Sequence, residues 1–309
     1  MLSVKGLTKD YGKLRAIDNL EFEVEEGIVY GFVGPNGAGK TTTIDIIATV
    51  LKPTSGDAFV NGYSVVRDKE KVKWLIGYMP DFYGVYHDMS VWEYLDFFCS
   101  AYGLEGEKKK KRIDELLEMF ELTHKKDDEV ESLSRGMRQK LCLARAIVHD
   151  PPLLLLDEPA SGMDPRARTE VLQLLKELAR EGKTIFISSH ILPEIGSICD
   201  KVGIIEKGKL LISERMDKLE EKVKGFRTIR IEVIEGKEIG ERIVKNNPQI
   251  IGIREWEKGW EVDFQGSESA LAELLGELVR EGVKVVSFAP SREITLTDIF
   301  MRITKGETQ

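Results

Sequence analysis

A short glycine-rich run near the amino terminus combines the residue types that bind the phosphates of a nucleotide. The run matches the pattern G-x-x-x-x-G-K-[ST] and comprises Gly34, Pro35, Asn36, Gly37, Ala38, Gly39, Lys40 and Thr41, with Thr42 next. It follows the continuously apolar segment 28–33, which is typical of a buried strand, and it precedes a stretch with helical character. This strand–loop–helix context is the one in which the pattern forms a phosphate-binding loop.

The chemistry of such a loop assigns a task to each residue type. Glycine lets the backbone curl so that successive N–H groups point at phosphate oxygens, and the following helix adds the positive end of its dipole. We expect Lys40 to reach the β- and γ-phosphates and the Thr41 hydroxyl to bind Mg²⁺. The N-K-x-D pattern with which GTPases read guanine does not occur in the chain. The sequence therefore predicts ATP and Mg²⁺ as ligands.

Two adjacent carboxylates and a histidine follow other predicted strands. Asp157 and Glu158 come directly after the apolar run 153–156, and His190 follows the run 184–187 and two serines. We expect Asp157 to bind Mg²⁺, Glu158 to act as general base towards the attacking water, and His190 to sense the γ-phosphate. A solvated or helix-capping acid pair and a structural histidine are the alternatives. Four leucines before the acids make the first alternative the weaker interpretation.

The composition argues against several classes of protein. The chain has 309 residues, 42% of them hydrophobic, and a net charge of −8, whereas proteins that bind nucleic acid usually have a basic surplus. No apolar run approaches the roughly 20 residues that span a bilayer, and the amino terminus has no signal-peptide pattern. Cys99, Cys142 and Cys199 lie in apolar stretches and are expected to be buried free thiols. These features predict a cytoplasmic protein that does not bind nucleic acid.

The pattern of apolar residues divides the chain into two predicted domains. In residues 1–218, short apolar runs alternate with amphipathic stretches, which indicates an α/β domain with a parallel sheet. Within this domain, residues of about 85–150 show helical periodicity and are predicted to form a helical subdomain. Residues 219–309 have the order strand, helix, strand, strand, helix, strand, which predicts a small α+β domain of ferredoxin-like fold.

One further motif connects these features to a known family. The run Leu133–Met137 stands shortly before the acid-pair strand, where the nucleotide-binding domains of ABC transporters carry L-S-G-G-Q. With the phosphate-binding loop, the acid pair and the histidine in the same order, the sequence resembles that family and its P-loop NTPase fold. Ser134 can cap a helix whose amino terminus, together with the Gly136 N–H, makes a second phosphate-binding device. Arg135 and Met137 replace the Gly and Gln of the family pattern.

The resemblance implies roles for residues outside these motifs. Tyr11 stands at the position of the aromatic residue that stacks on adenine, with an ordinary turn tyrosine as the alternative. Asp81 replaces a glutamine that usually contacts Mg²⁺ or water, so the resemblance implies a shorter, charged ligand. The run Ser161–Asp164 resembles the loop that signals across the dimer. Asp164 before Pro165 also fits a helix N-cap with proline at the first helical position.

The resemblance also implies a dimer and a membrane partner. In the family, the helix amino terminus that corresponds to Ser134 and Gly136 closes over the ATP held by the opposite subunit. The resemblance therefore implies a homodimer. The helical subdomain corresponds to the part on which a separate transmembrane permease docks, at the inner face of the cell membrane. Four aromatic residues of this region are expected to be either docking contacts or subdomain core: Tyr78, Phe82, Tyr83 and Tyr86.

The direction of transport has one prediction and two alternatives. Ser134–Gln139 and the segment Leu296–Phe300 are most similar to the family branch that exports drugs, antibiotics or ions, which predicts an exporter ATPase. One alternative is an importer ATPase whose second domain senses a ligand, because ferredoxin-like regulatory domains occur on importers. The other is a soluble ABC ATPase that acts on ribosomes or DNA. The single cassette and the acidic charge weigh against this last alternative.

Overall fold

The structure is a computed structural model of the chain, and it describes residues 1–81, 84, 88–219 and 226–293. Two compact units are present, Met1–Met216 and Asp217–Gln309, and each has its own hydrophobic core. Some residues for which roles are predicted above lie outside the described ranges: Phe82, Tyr83, Tyr86 and Leu296–Phe300.

The first unit alternates strands and helices along most of its length. Its strands are β1 (Leu2–Tyr11), β2 (Leu14–Val24), β3 (Val29–Val33), β4 (Ser55–Val60), β5 (Tyr63–Ser64), β6 (Ile76–Met79), β7 (Leu153–Leu156), β8 (Thr184–Ser189), β9 (Lys201–Glu206) and β10 (Lys209–Arg215). Its α-helices are α1 (Lys40–Ile47), α2 (Lys69–Leu75), α3 (Val91–Ala101), α4 (Gly106–Met119), α5 (Arg135–Ala146), α6 (Pro165–Arg180) and α7 (Leu192–Gly196).

A central sheet carries the segments that the sequence singles out. Its strand order is β10-β9-β3-β8-β7-β6, and all neighbours are parallel except β10 and β9. Every residue of β3, β7 and β8 is buried, because these strands lie inside the sheet and are covered on both faces. The carboxyl ends of parallel strands meet at one edge. The loops after β3, β7 and β8 therefore emerge side by side.

A second, antiparallel sheet has the order β2-β1-β4-β5. Its apolar side chains share one hydrophobic core with α1 and with the central sheet. Ile44 and Ile47 of α1 are fully buried in this core, so the helix that follows the glycine-rich loop is fixed between the two sheets. The end of β1 brings Tyr11 towards that loop.

The stretch from α3 to α5 is helical, apart from two short 3₁₀ turns and one isolated bridge between Ser90 and Glu129. Ser90 begins α3 with a capping box, in which its hydroxyl accepts the N–H of Glu93 and the Glu93 carboxylate accepts the N–H of Ser90. The three helices bury their apolar faces against one another, with Leu95 and Ile113 fully buried. Among the described residues, no helix is both long and apolar enough to cross a membrane.

The second unit is an antiparallel sheet with two helices. Its elements are β11 (Phe226–Glu235), α8 (Lys237–Asn246), β12 (Ile250–Trp256), β13 (Gly259–Gln265), α9 (Glu268–Arg280) and β14 (Lys284–Glu293). The sheet order is β12-β13-β11-β14. The core contains Trp260 and Phe264 of the sheet together with Leu274 and Leu278 of α9. Element order and sheet order are those of a ferredoxin-like fold, which confirms the predicted fold class.

The alternation of β11 generates a test of this core. Ile231 is fully buried, whereas Ile234 on the same strand is 73% exposed. We expect Ile231→Ala to lower the free energy of local opening of the second unit by about 2–5 kcal/mol, because it removes buried methyl groups and leaves a cavity. Ile234→Ala should change it by less than about 0.5 kcal/mol. Native-state hydrogen exchange of peptides from β11 and β13 measures both values, and equal effects would contradict the assigned faces.

Candidate active site

A cavity of about 500 Å³ lies at the carboxyl edge of the central sheet. It is lined by Tyr11, Leu14, Ala16, Asn36, Gly37, Gly39, Lys40, Thr41, Thr42, Asp81, Glu158, Ser161 and His190. Most of the residues predicted from the motifs are therefore brought together. Gly34, Pro35 and Ala38 belong to the same loop, and Asp157 is fully buried beside it. Ser134 and Gly136 line a different cavity, of about 480 Å³.

The glycine-rich loop turns tightly between β3 and α1. Gly39 adopts a left-handed backbone conformation, with φ of 106°, where α1 begins. Gly34 is required for another reason, since a Cβ atom there would lie 2.2 Å from the carbonyl oxygen of Ile205 in β9. The loop is held down by a hydrogen bond from the Gly34 N–H to the Ser189 carbonyl, 3.3 Å long. The sequence can thus place backbone N–H groups close to a ligand.

Lys40 lies in the curl of this loop and is only 6% exposed. Its Nζ donates to the Gly34 carbonyl at 2.8 Å and to the Pro35 carbonyl at 3.3 Å. Glu158 Oε1 is 3.5 Å from the same Nζ. A buried ammonium needs such partners because removing it from water is costly. The cation is therefore held where a phosphate group would meet it.

Asp157 and Glu158 directly follow β7, and one hydroxyl positions both. Ser188 Oγ donates to Asp157 Oδ1 at 2.5 Å and accepts the backbone N–H of Glu158 at 2.9 Å. Ser188 was not among the predicted site residues. The only sequence signal for it is its place at the end of β8, two residues before His190. The parallel pairing of β7 and β8 is what brings this hydroxyl to the acids.

The environment of Asp157 disfavours a bare negative charge. Burial raises the pKa of its carboxyl group, hydrogen bonds from the Ser188 and Thr41 hydroxyls oppose the rise, and the nearby charges of Asp81 and Glu158 add to it. Asp157 Oδ2 is buried and has no hydrogen-bond partner among the residues that the structure describes. A buried carboxylate oxygen without a partner, beside a threonine hydroxyl, is a donor set that suits Mg²⁺.

Glu158 is tied to His190. The His190 Nδ1 and Glu158 Oε2 atoms are 2.6 Å apart. Glu158 also has a left-handed backbone conformation, with φ of 50°, which costs energy for a residue with a side chain. In this structure the Glu158 carboxylate therefore lies between the imidazole of His190 and the ammonium of Lys40.

Tyr11 borders the main cavity with an exposed aromatic ring. The side chain is 48% exposed, and the ammonium of Lys9 lies 5.1 Å from the ring centroid. An exposed ring at the edge of a polar cavity can stack on a planar base. This geometry fits the role predicted for Tyr11.

Ser134 begins α5 as its N-cap. Its Oγ accepts the Met137 N–H at 3.3 Å, which confirms the predicted cap. Asp164 likewise caps α6, accepting the N–H groups of Arg166 and Ala167. The amino terminus of α5 opens into the second cavity, which is lined in part by Ser134–Met137 and Gly162–Asp164. Within one chain, this device and the glycine-rich loop line separate cavities.

Tyr78 lines a groove between the central sheet and the helical stretch. The groove, of about 480 Å³, also includes Trp74, Phe98, Tyr102 and Arg145. The Tyr78 hydroxyl donates to Asp45 Oδ1 at 2.7 Å, and the residue is half-buried. It thus belongs to the packed boundary between the two parts and also faces the groove.

Comparison with curated proteins finds relatives that match most or nearly all of the chain. The family described as ABC transporter matches residues 17–161. The linearmycin resistance ATP-binding protein LnrL of Bacillus subtilis is 30% identical over 306 residues, 98% of each chain. The bacitracin transport ATP-binding protein BcrA of Bacillus licheniformis is 41% identical over 223 residues, 72% of each chain. The daunorubicin resistance ATP-binding protein DrrA2 of Streptomyces coeruleorubidus is 33% identical over 99% of this chain and 95% of its own.

Comparison with solved structures gives the same family. A structure described as an ATP-binding subunit of an ABC transporter is 30% identical, with a TM-score of 0.65 over 72% of this chain and 92% of that one. A dimeric post-hydrolysis state of the ATP-binding cassette MJ0796, bound to ADP and Pi, is 26% identical, with a TM-score of 0.64 over 70% of this chain and 99% of that one. As the motifs predicted, the chain therefore belongs to the ATP-binding proteins of ABC transporters, a family of ATPases with the P-loop NTPase fold.

Proposed function

We propose that this ATPase hydrolyses Mg²⁺-bound ATP between two copies of the chain and thereby drives a separate membrane permease. One observation carries the mechanism. Lys40, Thr41, Asp157, Glu158 and His190 converge where three neighbouring parallel strands end. The proposal assigns the chemistry to this cluster and the mechanical output to the surfaces around it.

Nucleotide binding uses the glycine-rich loop and β1. The N–H groups of Asn36, Gly37 and residues 39–42, with the positive end of α1, surround the phosphates. Lys40 exchanges its carbonyl partners for the β- and γ-phosphate oxygens. The Tyr11 ring stacks on the adenine. No role in this scheme requires a nucleic acid.

Thr41, Asp157 and Asp81 would hold Mg²⁺ beside the phosphates. The support is the buried Oδ2 of Asp157, which has no hydrogen-bond partner in the described part of the chain, and the presence of the other two residues in the same cavity. When bound, the ion neutralises charge that develops on the phosphate oxygens. It would also compensate the burial that raises the pKa of Asp157.

Hydrolysis depends on Glu158 and His190. Glu158 takes a proton from the attacking water as general base. To do so it must leave its contact with Lys40, 3.5 Å away, because a γ-phosphate would occupy that side of the ammonium. His190, 2.6 Å from Glu158, orients the carboxylate and then contacts the γ-phosphate.

A homodimer completes the site. Ser134 and Gly136 present a helix amino terminus to a cavity separate from the glycine-rich loop of the same chain. We assign them to the γ-phosphate of ATP held by the opposite subunit. A solved structure of the cassette MJ0796 is dimeric, which supports the proposed homodimer.

The permease and the direction of transport are inferred from the relatives. LnrL and DrrA2 are named for antibiotic resistance and BcrA for bacitracin transport. We propose that this protein powers export of a drug, antibiotic or ion from the cytoplasmic side of the membrane. The helical stretch from α3 to α5 and the groove beside Tyr78 form the proposed docking surface. The second unit, with its own core, is the proposed accessory domain of residues 219–309.

Replacement of the proposed base tests the chemistry. We expect Glu158→Gln to lower kcat for ATP hydrolysis about 10²–10⁴-fold, because an amide cannot accept the proton. The same change removes a negative charge 3.5 Å from Lys40, so ATP should bind more tightly and the dimer should persist in gel filtration. Glu177→Gln, at an exposed position of α6, is the control. Normal hydrolysis by Glu158→Gln would show that Glu158 is not the base.

Removal of the hydroxyl that holds the two acids is a second test. We expect Ser188→Ala to lower kcat about ten- to a hundredfold, the equivalent of one lost hydrogen bond to a charged group. More Mg²⁺ should be needed for half-maximal activity, since the lost bond favours ionised Asp157. The neighbouring Ser189→Ala is the matched control, because among the described residues the Ser189 hydroxyl hydrogen-bonds to the backbone of Ile191 and not to the acids. Equal activity of the two variants would refute this role of Ser188.

Docking of the permease is tested at the groove. Trp74 lines it and is 55% exposed. We expect the wild-type chain to co-purify with a multi-span membrane protein expressed from a neighbouring gene, and Trp74→Glu to lose that partner while ATP hydrolysis by the isolated chain remains. Leu211→Glu, at an exposed position of β10, should keep the partner. Retention of the partner by Trp74→Glu would place docking elsewhere.

A further inference from the structure

Arg135 connects the start of α5 to the loop before α6. Its Nη2 donates to the carbonyl oxygen of Ser161 at 3.2 Å. Gln139, one turn further along α5, donates to the same oxygen from its Nε2 at 3.1 Å. Two side chains of one helix face therefore hold a single carbonyl of the loop Ser161–Asp164.

The guanidinium of Arg135 also covers the next residue of that loop. A Cβ atom placed on Gly162 would lie 2.3 Å from Cζ, 2.3 Å from Nη1 and 2.4 Å from Nη2 of Arg135. Nearly equal distances to these three atoms mean that the flat face of the guanidinium lies against Gly162. With a φ of 67°, Gly162 also has a backbone conformation that favours glycine. The contact thus needs a planar side chain on one partner and no side chain on the other.

Arg135 places a positive charge in the first turn of α5. Among the described residues, its guanidinium forms no ion pair, and its contacts are with Ser161 and Gly162. A cation that only stabilised the fold would not need this position beside Ser134 and Gly136, in the second cavity. The position instead connects the start of α5, to which the proposed function gives a role towards the opposite subunit, with the loop Ser161–Asp164, which resembles the loop that signals across the dimer.

We propose that Arg135 is a positioning residue that fixes the loop Ser161–Asp164 to the amino terminus of α5, so that both move as one body. The inference rests on the proposed function, in which Ser134 acts on ATP held by the opposite subunit. Arg135 sets the distance between Ser134 and the loop and thereby aligns the dimer for hydrolysis. Its hydrogen bond is to Ser161, which lines the main cavity, and not to the glycine-rich loop that binds the phosphates.

Lysine cannot replace arginine in this arrangement. Its ammonium could donate to the Ser161 carbonyl but has no flat face to lie against Gly162. Arg135→Ala should therefore lower kcat on the order of tenfold, the loss expected for one hydrogen bond from a charged group. Arg135→Lys should also lower kcat, because the flat contact with Gly162 is lost. The KM for ATP should change less than about twofold, because a single subunit's loop binds the nucleotide. Arg138→Ala removes a cation from the same helix without touching the loop, and is the matched control.

A double-mutant cycle isolates the contact itself. Gly162→Ala alone must displace the guanidinium and strain the backbone, whereas in the Arg135→Ala background only the strain remains. We expect Gly162→Ala to reduce kcat by a larger factor in the wild-type background than in the Arg135→Ala background. Equal factors in the two backgrounds overturn the proposal, and so does wild-type kcat in Arg135→Lys.

A measurement without ATP separates this inference from the proposed function. Hydrogen exchange of the amides of residues 161–164 should be faster in Arg135→Ala than in the wild type and in Arg138→Ala. Unchanged exchange overturns the role of Arg135 even if ATP hydrolysis proceeds as proposed. If exchange is faster in Arg135→Ala but the wild-type chain does not hydrolyse ATP, the contact is established and the proposed function is refuted. Thermal unfolding of Arg135→Lys confirms that the chain under test is folded.

Discussion

The site depends on the parallel register of β3, β7 and β8. Val33 lies beside Ser189, and Leu156 lies beside Ile187, so the residues that follow each strand emerge at one edge. This register places the Ser188 hydroxyl next to Asp157. A shift of one residue would turn the alternating side chains of a strand to the other face of the sheet. The Ser188 side chain would then point away from Asp157.

Two charged side chains at this edge of the sheet, Asp157 and Lys40, are shielded from water. Asp157 is fully buried and Lys40 nearly so, and such groups are costly unless they are paired. Lys40 has two carbonyls and Glu158 as partners. Asp157 has the Ser188 and Thr41 hydroxyls, and its Oδ2 has no hydrogen-bond partner within the ranges that the structure describes. The site therefore suits a ligand that brings an anion to Lys40 and a cation to Asp157 together. ATP with Mg²⁺ is such a ligand.

The sequence predicted the parts of this architecture that local patterns determine. The apolar runs became β3, β7 and β8, and the serine and the aspartate before α5 and α6 became their N-caps. The antiparallel partners β1 and β4 were not predicted. Register shifts interrupt the alternation of β1, and a period of two is the signal by which such a strand is recognised. A similar shift in β12 leaves Ile251 half-exposed beside the buried core.

Contacts between distant segments were beyond the reach of the sequence. Ser188 meets Asp157 across 31 positions of the chain, and Arg135 meets Ser161 across 26. Ser188 has no type or spacing that marks it as special, and Arg135 stood out only as a departure from the family pattern. Hydroxyls and guanidinium groups are common on surfaces, so neither residue type predicts its partner. Only the packing of β7 on β8, and of α5 beside the loop before α6, gives these side chains a partner. The motif residues could be named because their chemistry is unusual for their position.

The contact between Glu158 and Lys40 has a consequence for selectivity. Glu158 is an anion tethered 3.5 Å from the ammonium, so any free anion in solution has to compete with a carboxylate at high effective concentration. Inorganic phosphate can gain only the contacts of a single phosphate group with the loop while it displaces the carboxylate. A nucleotide is also bound through its base and its other phosphates. Its γ-phosphate then competes with the Glu158 carboxylate for Lys40 at a similarly high effective concentration. Without a nucleotide, the Glu158 carboxylate therefore reduces the binding of small anions to Lys40.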